Sequence, residues 1–168
     1  VYLVFGSTSG FNSRFSVSDR LTISGTGLED NLGTAVSSAG DLNGDGIKDL
    51  ILGAANASTS GEFTNEGQAY VLFGRQGGFG NQVDLNSLNG KNGFSLGGIN
   101  PRDGLGNAVS AGDFNGDGID DLLVGASRAG QGKGEVYLIF GDRNGFTSQV
   151  NLANLSSSAG QKITGLSS

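Results

Sequence analysis

The chain has 168 residues, 32 of them glycine and one proline, and a net charge of −6. That is enough for one ordinary domain with a real core, and one proline excludes a collagen-like chain or a stiff linker. The acidity argues against nucleic acid or an anionic membrane as partner, and the absence of Cys, His, Met and Trp excludes disulfides, zinc or copper sites, and thiol or imidazole chemistry.

In chain order, the first feature is a strand that recurs three times. Val1-Tyr2-Leu3-Val4-Phe5-Gly6 returns as Ala69-Tyr70-Val71-Leu72-Phe73-Gly74 and as Val136-Tyr137-Leu138-Ile139-Phe140-Gly141, spaced 68 and then 67 residues apart. Each copy is followed by Gly-Phe, at Gly10-Phe11, Gly78-Phe79 and Gly145-Phe146. Its β-branched and aromatic residues fit a pleated, half-buried surface. A fourth strand is expected after each copy, at 21–24, 94–97 and 162–164. Leu32-Gly33 returns as Leu105-Gly106, opening expected strands at 35–42 and 108–114. Acidic loops follow, and then apolar runs at 50–54 and 122–126, each with a glycine near its end. The third strands are expected at 68–73 and 135–140. Val83-Asp-Leu-Asn-Ser-Leu88 also returns 67 residues on, as Val150-Asn-Leu-Ala-Asn-Leu155, with no element assigned to it.

A tandem unit of four short strands predicts an all-β fold of β-propeller blades, each of four antiparallel strands. The expected division is a half blade of third and fourth strands over 1–31, a blade over 32–104 and a blade over 105–168. Blades bury their faces only against neighbours, and a propeller needs roughly four to eight of them. About two and a half blades would leave apolar faces exposed. The expected partners are therefore further blades, from the same longer chain or from other copies. No stretch reads as a signal peptide or membrane span. The chain opens in what reads as mid-fold, so such segments would lie outside it.

The acidic loops are Asp41-Leu-Asn43-Gly-Asp45-Gly46-Ile47-Lys-Asp49 and Asp113-Phe-Asn115-Gly-Asp117-Gly118-Ile119-Asp-Asp121. Without Asp41, Asp45, Asp49, Asp113, Asp117 and Asp121 the chain has ten acids against ten bases. Oxygen-bearing side chains at alternate positions, a glycine for the bend and a closing carboxylate are what a hard cation requires. Ca²⁺ takes six to eight oxygens at about 2.3–2.6 Å. The expected ligands are Asp41, Asn43, Asp45, the carbonyl of Ile47 and Asp49 in the first loop. In the second they are Asp113, Asn115, Asp117, the carbonyl of Ile119 and Asp121. A helical EF-hand would place Glu at the twelfth loop position. Leu52 and Val124 stand there instead, within strand-like runs, so each loop joins two strands.

These loops and their flanks resemble the FG-GAP repeats of the integrin α-subunit propeller and its bacterial relatives. Leu-Gly stands where the family opens with Phe-Gly. Gly53-Ala54-Ala55 and Gly125-Ala126-Ser127 stand in place of Gly-Ala-Pro. The resemblance implies a seven-bladed propeller in an extracellular or cell-surface protein, with one structural Ca²⁺ in each loop and a role in adhesion, surface structure or assembly. The Gly- and Asn-rich repeat, without cysteine, looks closest to large exported bacterial proteins, including cyanobacterial ones.

No enzyme is expected in these residues, since a chain without histidine cannot form a Ser-His-Asp triad. The alternatives are an accessory propeller of a larger secreted enzyme, or the building block of a homomeric extracellular fibre. Gly130-Gln-Gly-Lys133 runs into a strand and reads as a hairpin turn, not a phosphate cradle. Asp30 and Asp103 read as turn residues, Asp120 as solvated, and Tyr2, Tyr70 and Tyr137 as framework. The segment 56–67 is longer than its counterpart at 128–134, so a protein or glycan partner is expected on that face, away from the ion loops. Exchanging the long segment for the short one is expected to leave stability nearly unchanged.

Overall fold

The computed structural model describes residues 1–6, 21–27, 29–59 and 64–166. Gly10-Phe11 lies outside them. The strands are β1 Tyr2–Leu3, β2 Leu21–Ile23, β3 Leu32–Gly40, β4 Asp49–Ala54, β5 Gln68–Leu72, β6 Gln82–Val83, β7 Gly93–Gly97, β8 Leu105–Gly112, β9 Asp121–Ala126, β10 Glu135–Ile139, β11 Gln149–Val150 and β12 Gly160–Thr164. Strands β3, β4, β5 and β7 pair antiparallel in sequence order as one blade. Strands β8, β9, β10 and β12 repeat that order as a second blade. β1 and β2 are the antiparallel third and fourth strands of a half blade. The all-β blade architecture is therefore present.

Two details differ from the sequence expectation. The first strands begin at Leu32 and Leu105 and end before the loops, at Gly40 and Gly112. Their starts carry a bulge, with register shifts between Leu32 and Ala35 and between Leu105 and Ala108. Gly106 has φ +85°, and a Cβ there would stand 2.3 Å from the Gln68 carbonyl oxygen. Only glycine fits where the two blades meet this closely.

The second difference is a pair of strands that the sequence reading left unassigned. β6 pairs parallel with β2, and β11 pairs parallel with β7. The connection between third and fourth strands of each full blade therefore crosses back and adds a strand to the preceding sheet. Each stitch ends in a 3-10 turn, Leu85–Ser87 or Leu152–Asn154, whose first leucine is buried. Asp84 Oδ1 accepts from the Asn86 amide at 2.9 Å, and Asn151 Oδ1 accepts from the Ala153 amide at 3.0 Å. The repeated Val-x-Leu-x-x-Leu is this stitch.

Two cores follow. Leu21 and Ile23 of the half blade pack with Leu52, Ala54, Tyr70 and Leu72 of the first full blade. That blade's other face, Ile51, Ala69, Val71 and Leu96, packs against Leu122, Val124, Tyr137 and Ile139 of the second. With both faces covered, β4 and β5 are apolar almost throughout, as strands sandwiched between layers are. The second blade's outer face carries Leu123, Val136, Leu138 and Ile163, brought into register across its sheet. Leu96 is 0% exposed, whereas Ile163, at the same repeat position, is 55% exposed. Tyr70 and Tyr137 are buried framework, as expected, but Tyr2 faces solvent.

The exchange of 56–67 would not be neutral. Leu105 N–H donates to the Glu66 carbonyl at 2.9 Å, and Arg102 N–H donates to the Thr64 carbonyl at 2.8 Å. Glu66 itself is buried, and its Oε2 accepts from the Thr64 hydroxyl at 2.6 Å. The end of this segment is a joint between blades, which length and composition do not reveal. Breaking those backbone bonds should remove about 2–3 kcal/mol, or roughly 5–10 °C of Tm. A melt of the exchanged protein within 2 °C of wild type would contradict this.

Candidate functional site

Each acidic loop bridges the first and second strands of a blade, so a rigid hairpin holds both ends. The side-chain oxygens turn inward. Asp41 accepts from the amides of Asp45 at 3.0 Å and Gly46 at 2.8 Å. Asn43 Oδ1 accepts from Asp45 N–H at 3.0 Å, and Asp45 Oδ1 accepts from Ile47 N–H at 2.8 Å. The second loop repeats this. Asp113 accepts from Gly116, Asp117 and Gly118, Asn115 accepts from Asp117, and Asp117 accepts from Ile119. Gly46 and Gly118, at φ +86° and +82°, make the bend that a side chain would oppose.

The closing carboxylates lie deepest. Asp49 Oδ2 accepts from Leu42 N–H at 2.9 Å and Oδ1 from Gly74 N–H at 2.8 Å. Asp121 Oδ2 accepts from Phe114 N–H at 3.0 Å and Oδ1 from Gly141 N–H at 2.9 Å. Each carboxylate thus ties the loop to the end of the third strand. Burial pushes the Asp49 carboxyl up to about 6, against the pull of its two amide donors, and the Asp45 and Asp41 charges raise it further. No cation pairs with Asp49 among the described residues.

The donor types are those that a hard cation such as calcium takes. The set consists of oxygen alone, and a carboxylate oxygen that accepts one hydrogen bond keeps a second lone pair for another partner. Carboxylates alone would not suffice: among the described residues no three acidic side chains are grouped so as to hold a metal. A full shell would draw on the Asn43 amide oxygen and the Ile47 carbonyl as well, and on Asn115 and Ile119 in the second loop.

Asp120, expected in solvent, is instead engaged across the blade boundary. Its Oδ2 accepts from Asp41 N–H at 2.8 Å and pairs with Lys48 Nζ at 2.8 Å. Those contacts hold its carboxyl below the usual carboxylate range, the lysine first and the amide second. The one available signal was that the eighth loop position is Lys in one copy and Asp in the other. Asp30 and Asp103 are turn residues at the opposite end of the blades. Asp30 accepts from Gly27 N–H at 2.6 Å, and Asp103 accepts from Asn100 N–H at 2.8 Å. The Ala129–Gly132 segment is the turn between the paired strands β9 and β10, as read.

The FG-GAP repeat model matches residues 32–72 and 105–139, and each match takes in the first three strands of a blade and its acidic loop. Two stretches of the chain are thus similar to FG-GAP repeats. Over 118 residues, 68% of this chain, it is 40% identical to phosphatidylinositol-glycan-specific phospholipase D of Bos taurus, and the match covers 14% of that protein. It is 32% identical to integrin alpha-4 of Xenopus laevis over 124 residues, 73% of this chain and 11% of that protein. Integrin alpha-PS2 of Drosophila melanogaster is 29% identical over 137 residues, 79% of this chain and 9% of that protein. The chain thus spans only a small part of the length of these relatives. Among the described residues, no helix is long and apolar enough to cross a membrane.

Proposed function

We propose that this chain is a calcium-stabilised stretch of an extracellular β-propeller that is structural rather than catalytic, and that serves adhesion, surface structure or assembly. The observation that carries this reading is the repetition of two oxygen loops whose first, third and fifth side chains accept the same four amide hydrogen bonds in each copy. The first closes on a fully buried carboxylate without a cationic partner. Asp41, Asn43, Asp45, Ile47 and Asp49 would hold one ion, and Asp113, Asn115, Asp117, Ile119 and Asp121 the other. The ion supplies positive charge that the buried carboxylates lack.

Calcium that binds the folded loops and not the unfolded chain stabilises by mass action, by about 2.7 kcal/mol per site at a hundredfold excess over Kd. Chelation is therefore expected to lower Tm. Asp45→Ala should abolish at least half of the calcium-induced gain, one site of two. A thermal melt that does not change between calcium and chelator would defeat the reading.

The open face of the second blade supports further blades as partners, within a seven-membered ring. The covering of Leu96 by the next blade is the pattern that Ile163 would follow. If copies of this chain supply that cover, as in a fibre, sedimentation will give an oligomer; a stable monomer rules that out. A protein or glycan ligand would sit on the face opposite the ion loops. The glycine- and asparagine-rich repeat without cysteine supports an exported bacterial source. A second reading, a non-catalytic module of a larger secreted enzyme, is favoured by the 40% identity to a phospholipase D over 14% of its length.

A further inference from the structure

We infer that the two loops take up calcium as a coupled pair and that Asp120 is the positioning residue that connects them; this rests on the calcium reading above. The first loop belongs to the β3–β4 hairpin and the second to β8–β9, so they lie in different blades. Asp120 spans the boundary. Its carboxylate accepts from Asp41 N–H at 2.8 Å, and its own N–H donates to the Asp41 carbonyl at 3.3 Å. Both polar groups of the Asp41 backbone are thus held by one residue of the other loop. Asp41 is the first ligand of its loop. Asp120 stands between Ile119 and Asp121, the last two ligands of the second loop.

A parallel tie runs beside it. Asp142 N–H donates to the Leu42 carbonyl at 2.9 Å, and the adjacent Gly141 N–H donates to Asp121 Oδ1 at 2.9 Å. The fit is close on the first loop's side. A Cβ on Gly40 would stand 2.4 Å from Asp120, and one on Gly44 would stand 2.6 Å from Arg143 Cγ.

An ion in the second loop would fix the Ile119 carbonyl and the Asp121 carboxylate, and with them Asp120. Asp41 would then be ordered before its own ion arrives, so the first loop would lose less freedom on binding. Linkage makes the effect reciprocal. Lys48 contributes less, because its side chain is 70% exposed and exposed ion pairs are weak. The amide-to-carboxylate bond is the stronger contact.

Calcium titration by calorimetry tests this. Removing the second site through Asp117→Ala is expected to weaken binding at the first by about fivefold or more, the lower end of typical couplings. In an Asp120→Ala background the same change should alter first-loop affinity by less than about twofold, while Asp120→Asn, which keeps an acceptor for Asp41 N–H, should restore most of the coupling. First-loop affinity that ignores Asp117→Ala overturns the inference and leaves the calcium reading standing. So does an Asp120→Ala protein whose Tm falls equally in calcium and in chelator with both affinities unchanged, since that describes a plain clamp. A wild-type protein that takes up no calcium overturns both.

Discussion

Asp49→Ala is expected to destabilise the fold by about 3–5 kcal/mol, because two buried amide donors lose their acceptor at about 1–3 kcal/mol each. The donors are Leu42 N–H and Gly74 N–H, at 2.9 and 2.8 Å from a carboxylate with no solvent exposure. At 2–4 °C per kcal/mol for a chain of this size, Tm should fall by roughly 10 °C. Part of the loss is offset, since the charge at Asp49 is itself disfavoured by burial. Asp49→Asn separates the two effects. It removes the charge but turns an NH₂ group toward one donor, so its melting temperature should fall between those of wild type and Asp49→Ala. The comparison belongs in chelator, where any ion contribution is absent. An Asp49→Ala protein melting within 2 °C of wild type would show that the carboxylate does not hold the hairpin to the third strand.

Phe94→Ala should have an effect of similar size, about 3–5 kcal/mol for truncating a fully buried phenylalanine. Phe94 lies in the first full blade, on β7. Its ring stacks on Phe146, which the second blade's stitch carries across, at a centroid distance of 4.4 Å and an interplanar angle of 17°. Phe73 leans against both, at 5.9 and 5.8 Å. The cluster is therefore a fastener between blades as well as part of one core. Urea unfolding of Phe94→Ala, Phe146→Ala and the double variant would read the coupling, expected at about 0.5–1.5 kcal/mol for such a pair. Strict additivity would mean that the rings share a cavity without holding the blades together. The loss from Phe146→Ala alone should be smaller, because that ring is only half-buried.

Much of the blade was legible along the chain. Tyr70-Val71-Leu72 and Tyr137-Leu138-Ile139 read as strands because β-branched and aromatic residues suit a pleated surface. The pattern of Asp41, Asn43 and Asp45 read as a loop because alternate short oxygen-bearing side chains followed by a glycine suit a tight turn around a cation, and in the structure those oxygens accept from the loop's own amides. The stitches were not legible. Gln82–Val83 and Gln149–Val150 are two residues each, too short for any periodicity, and their partners lie in another blade. Nor was the joint at Thr64–Gly67, whose bonds run to residues about forty positions away.

Local chemistry settled what could be settled by neighbours in sequence: short strands, glycine-bent acidic loops and a unit repeated about every 67 residues. Packing decided what depends on residues far apart in the chain. Leu96 and Ile163 hold one repeat position with nearly the same side chain, yet a neighbouring sheet buries the first and leaves the second in solvent. Lys48 and Asp120 share a loop position with opposite charges, and only the stacking of two blades turns them toward each other. Burial and pairing across a blade boundary belong to the assembled layers, because the short-range preferences of a strand do not specify what lies against its face.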